Sequence, residues 1–254
     1  MKFHVLGCSG GELPHHRTTC FLVDGRLAID AGALTSSLPL SKLVKLDDVV
    51  LTHSHLDHIK DVPLLADLLV GRRRGPLRVH ASTECARTLR RNVFNGKLWP
   101  DFTRIPSARS PVMELRAFTT RRAFRAGSLT FQPVPVRHPV ESVGFVVSNG
   151  RSSFGISGDT GPTTGFWKLV NATPGIKALL VELSFPNHLQ RLADLSGHLT
   201  PRSLAKELAK LERGDLPILL YHLKPAYVLS LRREVAALGL PNVRILEVGD
   251  TFRF

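Results

Sequence analysis

Residues 51 to 61 read LTHSHLDHIKD, three histidines and two aspartates in eleven positions directly behind an apolar run. Buried imidazoles and carboxylates cost free energy unless each finds a partner. A solvated helix face has no need of four such groups within six residues. The same residue types recur at the ends of three later runs: His138 ends FQPVPVRH, Asp159 ends SSFGISGD and His222 ends PILLYH. Imidazole nitrogens and carboxylate oxygens are the donors that zinc and related divalent ions take.

Counting donors sets the number of ions. A zinc site takes about four ligands, and a catalytic one leaves a position to water. His53, His55, Asp57, His58, His138, Asp159 and His222 are too many for one open ion. They suit two ions that share a bridging carboxylate and a water. His53 and His55, two apart, point the same way from an extended segment and with His138 make a three-His site. Asp57, His58 and His222 make the second, and Asp159 is the natural bridge. Two ions about 3.5–4 Å apart lower the pKa of a shared water and clamp a phosphoryl centre. Zinc is the default for such ligation, and manganese or iron also suit mixed His/Asp sites.

Rigid elements must deliver these groups. FHVLG, CFLVD, RLAID, DVVLTH, LRVHA, LTFQPVPVRH, VGFVVS, SSFGISGD, KALLVEL, PILLYHL and VRILEV are short β-branched apolar runs with turn punctuation, and each predicts a strand. HIKDVPLLADLLVG, TECARTLRRNVFNG, TPRSLAKELAKLERG and YVLSLRREVAALG predict helices. The third carries Thr200 as N-cap, Pro201 at its first position and Gly214 beyond its last turn. Helices scattered among consecutive strands predict two mixed sheets packed together with helices outside. The ligands then sit at strand ends, where loops converge.

An apolar fraction of 43% supports a sizeable core, and with no linker or repeat the 254 residues read as one domain, 1–254. No stretch approaches the ~20 apolar residues of a membrane span, and the start, MKFHVLGCSGG, lacks the pattern of a secretory signal. Cys8, Cys20 and Cys85 form no CxxC pair and are odd in number, against a disulfide framework. A cytoplasmic location is expected. Of the net charge of +13, residues 71–137 hold +12: fourteen Arg and one Lys against Glu84, Asp101 and Glu114. The segment reads as an electropositive wall for a phosphate-bearing ligand or as an Arg-biased solvated surface.

THSHLDH is an HxHxDH signature, and followed in order by His138, SGDT and YHLKP it resembles the metallo-β-lactamase superfamily. VLGCSGG, RTTCFLVDGRLAIDAG, LTHSHLDHIKDVPLLAD, VELSFPN, SGHLTP and HLKP are, more narrowly, similar to the class II cyclic-nucleotide phosphodiesterases. Asp61 departs from that family's motif, which has a small residue there; as an anion near a helix start it is tolerated by the dipole. The resemblance implies an α/β fold, a four-layer αββα sandwich with a dimetal site at one edge. It implies hydrolysis of 3′,5′-cyclic nucleotides (cAMP and/or cGMP) to 5′-nucleotides, with His53, His55 and His138 on one metal, Asp57, His58 and His222 on the other, and Asp159 between. Asp57 counts there among the reacting residues as well as the ligands.

The 3′ leaving oxygen needs a proton. His198, in LSGHLTP, is the remaining histidine best placed to supply it, with Glu182, ending KALLVE, to orient its ring. An equivalent pair in ribonuclease Z supports this by analogy. The competing assignments are a His198 that bonds the start of its helix and a Glu182 that is merely solvated. Lys224, in HLKP, is a candidate phosphate contact. His4, His80, His188, His15 and His16 show no ligand spacing, and Gly7, Gly10 and Gly11 read as a tight turn beneath the site.

A ribonuclease Z-like RNA phosphodiesterase ranks second. That enzyme inserts a basic arm between its third histidine and bridging aspartate, whereas here 21 positions separate His138 from Asp159 and the basic segment precedes both. Other hydrolyses on the same fold come next, since fold does not fix substrate. A non-catalytic scaffold fits least, because all seven ligands are kept.

Overall fold

The computed structural model describes residues 1–254. The strands are β1 (Lys2–Gly7), β2 (Cys20–Val23), β3 (Leu27–Ile29), β4 (Asp48–Val50), β5 (Leu77–Ser82), β6 (Pro106–Ser107), β7 (Ser110–Pro111) and β8 (Met113–Phe118). The second half adds β9 (Phe124–Ala126), β10 (Leu129–Val136), β11 (Ser142–Ser148), β12 (Ser153–Ile156), β13 (Ile176–Glu182), β14 (Ile218–Tyr221), β15 (Val243–Ile245) and β16 (Thr251–Arg253). The α-helices are α1 (Leu34–Ser37), α2 (Leu40–Leu43), α3 (Leu56–Ile59), α4 (Asp61–Leu69), α5 (Thr83–Thr88), α6 (Gly165–Ala172), α7 (Gln190–Ser196), α8 (Pro201–Leu208) and α9 (Val228–Ala236). None is long and apolar enough to cross a membrane.

Two seven-stranded sheets run in the orders β16-β1-β2-β3-β4-β5-β8 and β15-β14-β13-β12-β11-β10-β9, with β6 and β7 as a separate hairpin. In each sheet one half is antiparallel and the other parallel, through β3-β4-β5-β8 and β12-β13-β14-β15. Alternation along the central strands explains the layering. On β13, Ala178 and Leu180 face the inter-sheet core with Phe21, Phe145 and Tyr221, while Leu179 and Val181 meet α6, α8 and α9. On the far side, α1, α2, α4 and α5 cover the first sheet. The result is the expected α/β sandwich of two mixed sheets flanked by helices.

Two local outcomes differ from expectation. The helix from Pro201 has the expected cap, with the Thr200 hydroxyl accepting from the Ser203 amide at 3.3 Å and the Ser203 hydroxyl from the Thr200 amide at 2.8 Å. It ends at Leu208, however, well before Gly214. Asn171 binds the Lys210 carbonyl and Arg213 the carbonyls of Val170 and Thr173, which draws the chain onto the end of α6. The run from Thr83 tightens into α5 and then widens into a π-turn over Leu89–Val93.

Candidate metal centre

The carboxyl ends of β4, β10, β12 and β14 meet at one edge of the two sheets, and the seven ligand candidates come with them. A backbone bond from the Val143 amide to the Thr52 carbonyl joins the sheets beside them at 3.1 Å. His53, His55 and His138 present ligand atoms within 4.8 Å of one another, as do Asp57, His58 and His222. Between the groups, Asp159 Oδ2 lies 3.7 Å from His53 Nε2, 3.3 Å from His58 Nε2 and 3.0 Å from His222 Nε2. The structure thus brings all seven together, with Asp159 in the middle.

Ring orientation is fixed from behind. His53 Nδ1 lies 3.0 Å from the Thr52 hydroxyl, His58 Nδ1 2.7 Å from Asp30, His138 Nδ1 3.0 Å from the Gly197 carbonyl and His222 Nδ1 2.9 Å from the Ser184 hydroxyl. With Nδ1 engaged, Nε2 of each ring points inward, the usual outer arrangement of metal-binding histidines. His55 instead turns Nδ1 inward, 3.1 Å from His138 Nε2.

The donor set fits divalent cations on a direct observation. Nε2 of His53, Nε2 of His58 and both carboxylate oxygens of Asp159 are buried without a hydrogen-bond partner. The Asp159 contacts are too long or misaligned for hydrogen bonds, so these polar atoms converge on shared space rather than on each other. Stranded buried groups of this kind cost about 1–3 kcal/mol each, more when charged. A cation removes that cost. Protonation follows the same logic. Burial and neighbouring histidines hold His53 well below its usual range, and burial pushes His138 down to about 4. Burial also opposes charge on His58, yet Asp159 and Asp30 outweigh it and hold that ring well above the usual value.

Two backbone features tighten the site. His222 has φ 69°, a left-handed conformation that an L-residue adopts at a cost. Its carbonyl and ring leave no room for a side chain on Gly10, where a Cβ would fall 2.5 Å from the His222 oxygen and 2.7 Å from ring atoms. The glycine turn is therefore a close-approach surface against a ligand-bearing residue.

His198 and Glu182 lie beside the cluster, fully or nearly buried. His198 Nδ1 is 3.1 Å from Glu182 Oε1, and its ring stacks 5.2 Å from that of His222. Glu182 is not a solvated strand end, since Oε1 also accepts from the Leu199 amide at 3.1 Å and the Thr160 amide at 3.3 Å. Nor does His198 bond the start of α8, which Thr200 caps. Lys224 Nζ donates to the Gly10 carbonyl at 2.5 Å. Asp61 is buried, with Oδ2 accepting from the Thr35 amide at 2.7 Å. His80 bonds Asp48 at 2.7 Å, away from the cluster.

Sequence reasoning passed over Asp30, Thr52 and Ser184. Asp30 ends RLAID and obeys the strand-end pattern that singled out the ligands, so the same signal was available. Ser184 follows Glu182 by two positions, and a serine there carries no distinguishing mark.

Residues 21–222 match the model of the beta-lactamase superfamily domain. A probable 3′,5′-cyclic-nucleotide phosphodiesterase of Yersinia pestis is 28% identical over 239 residues, covering 80% of this chain and 67% of that one. The 3′,5′-cyclic-nucleotide phosphodiesterase of Schizosaccharomyces pombe is 27% identical over 182 residues, covering 64% and 50%. Among solved structures, unliganded yeast PDE1 superposes with a TM-score of 0.81 at 20% identity over 100% of this chain and 99% of that chain.

Proposed function

The chain belongs to the beta-lactamase superfamily, and from that premise we propose that it is a metal-dependent phosphodiesterase that hydrolyses 3′,5′-cyclic nucleotides to 5′-nucleotides. The observation that carries this reading is the cluster of seven donors, four of them buried, with a carboxylate-held histidine at its side. The named phosphodiesterase relatives supply the substrate class. His53, His55 and His138 would hold one divalent ion and Asp57, His58 and His222 a second, with Asp159 shared and zinc the first choice. Such a pair supplies a water of lowered pKa and charge for the phosphoryl oxygens.

The chain's own residues do the rest. His198 gives a proton from Nε2 to the departing 3′ oxygen, which leaves poorly as an alkoxide. Glu182 keeps Nδ1 of that ring engaged and, held by two backbone amides, does not swing with it. Asp57, partly open to solvent, holds its Oδ2 3.2 Å from Nε2 of His222. Between His138 and Asp159 the chain forms only β11, β12 and their turn, which favours a small diester over a tRNA held by an inserted arm.

The test is hydrolysis of 3′,5′-cAMP by zinc- or manganese-loaded protein, with Asp159→Ala as blank. Conversion to 5′-AMP, abolished in the blank, is expected. No turnover by fully metallated protein overturns the substrate assignment and moves RNA diesters to first place.

A further inference from the structure

We propose that Ser184 is a positioning residue that couples the ligand His222 to the acid His198 through one hydroxyl. The inference rests on the phosphodiesterase reading for the role of His198, and on geometry alone for His222. Ser184 follows β13 and is completely buried. Its Oγ lies 3.0 Å from Glu182 Oε2, 2.9 Å from His222 Nδ1, 3.2 Å from His198 Nδ1 and 3.3 Å from the His222 carbonyl oxygen. A hydroxyl has one proton and two lone pairs, so two acceptors compete for the proton and two ring nitrogens remain for the lone pairs. Carboxylate and carbonyl oxygens only accept, and the closer, charged Glu182 Oε2 takes the proton over the His222 carbonyl. Oε1 of Glu182 is already taken by two amides and His198, while Oε2 accepts from Ser184.

Both lone pairs are then left for Nδ1–H donors. That places hydrogen on Nδ1 of His222 and leaves Nε2, 3.2 Å from Asp57 and 3.0 Å from Asp159, as the nitrogen that gives up its proton when a cation binds. It also orients His198 with Nε2 free to carry the transferable proton. One side chain therefore fixes the tautomer of a metal ligand and the aim of an acid. The backbone holds this hub still: the Ser184 amide donates to Leu199 at 3.1 Å and the Lys224 amide to the Ser184 carbonyl at 3.3 Å. His198 and His222 are thus clamped from both flanks.

The test uses Ser184→Cys, which is nearly isosteric but a poor acceptor, Ser184→Ala, and Ser184→Thr, which keeps the hydroxyl. Zinc affinity of the metal-free protein is measured by chelator competition. Turnover is measured on cAMP, whose leaving group is an alkoxide, and on bis(p-nitrophenyl) phosphate, whose p-nitrophenolate leaves without a proton. Ser184→Cys and Ser184→Ala should bind the weaker zinc about 10- to 100-fold less tightly, with Ser184→Thr restoring affinity. At saturating zinc, cAMP turnover should fall at least tenfold more than nitrophenyl turnover. Should Ser184→Ala fail to fold, the Cys and Thr variants carry the comparison.

Unchanged zinc affinity in Ser184→Cys, or equal losses on the two diesters, overturns the coupling and leaves Ser184 a packing residue. A wild type active on the nitrophenyl diester and inert to cAMP sinks the cyclic-nucleotide reading instead. The zinc titration then still decides the role of Ser184.

Discussion

Asp30 Oδ2 stands 2.7 Å from Nδ1 of His58 while its Oδ1 accepts the Thr52 amide at 2.8 Å. One buried carboxylate, itself in a left-handed conformation at φ 56°, thereby sets both a ligand ring and the strand end that leads to it. Replacing Asp30 by Asn keeps the shape and removes the charge that favours Nδ1–H. We expect zinc affinity to fall about 10- to 100-fold, read by chelator competition, with the far-ultraviolet spectrum unchanged.

Metal removal should cost stability in proportion to site occupancy. At free zinc about 100 times the dissociation constant, linkage adds about 2.7 kcal/mol. For a chain of this size each kcal/mol moves the melting point by about 2–4 °C. Scanning calorimetry should therefore show a rise of about 5–10 °C on zinc addition, reversed by EDTA and missing in Asp159→Ala.

His198→Ala should lower cAMP turnover by about 100- to 10,000-fold, the usual contribution of a positioned acid. Zinc content, assayed by atomic emission, should stay at the wild-type level because the ring is assigned to no ion. A drop in metal content alongside activity would make His198 a ligand instead.

Gly10→Ala tests the close approach to His222. With a Cβ 2.5 Å from the His222 carbonyl, either the turn or the ligand must shift. Displacing a reacting geometry by about 1 Å costs about 100-fold, so turnover should fall by that order. Gly25→Ala is the control for glycine replacement as such, since that position has φ 71° but open space around it.

Acid stability should depend on a pair far from the centre. Asp48 is buried against Arg78, at 2.8 and 2.6 Å, and against His80. Burial would raise its carboxyl, but those hydrogen bonds prevail and hold it at about 2, below its ordinary 3.8. A folded-state value below the unfolded one means stabilisation that is complete above about pH 4 and lost as pH falls toward 2. Unfolding free energies of wild type and Asp48→Asn from urea titrations should differ by about 2 kcal/mol at neutral pH and converge on acidification. A gap that stays constant from pH 6 to pH 2 would contradict this.

Much of the centre could be read from the chain because its donors are of rare type and stand where apolar runs stop. His53, His138, Asp159 and His222 needed only the outline of their strands. Their supports were harder to find, since Thr52 and Ser184 act through ordinary hydroxyls whose role depends on what the fold brings near. In the fold, β8 escaped notice because an edge strand with Glu114 and Arg116 facing outward lacks an apolar signature. Helix α6 was missed because GFWKLVNA opens on glycine without a capping side chain. The early end of α8 was unreadable in principle, being imposed by Asn171 and Arg213 from across the layer rather than by any local stop.

His53, His55, Asp57 and His58 follow a strand of one sheet, whereas His138, Asp159 and His222 follow strands of the other. The two banks face each other across the seam where Phe3 meets Phe154 edge-on at 5.4 Å. The cluster is thus a keystone set between two walls, and neither wall alone holds a complete site. A substitution deep in that aromatic seam reaches the chemistry by sliding one bank past the other, with no ligand touched. Loss of activity in such a variant is a reading of wall alignment, and bound cations in turn resist the slide.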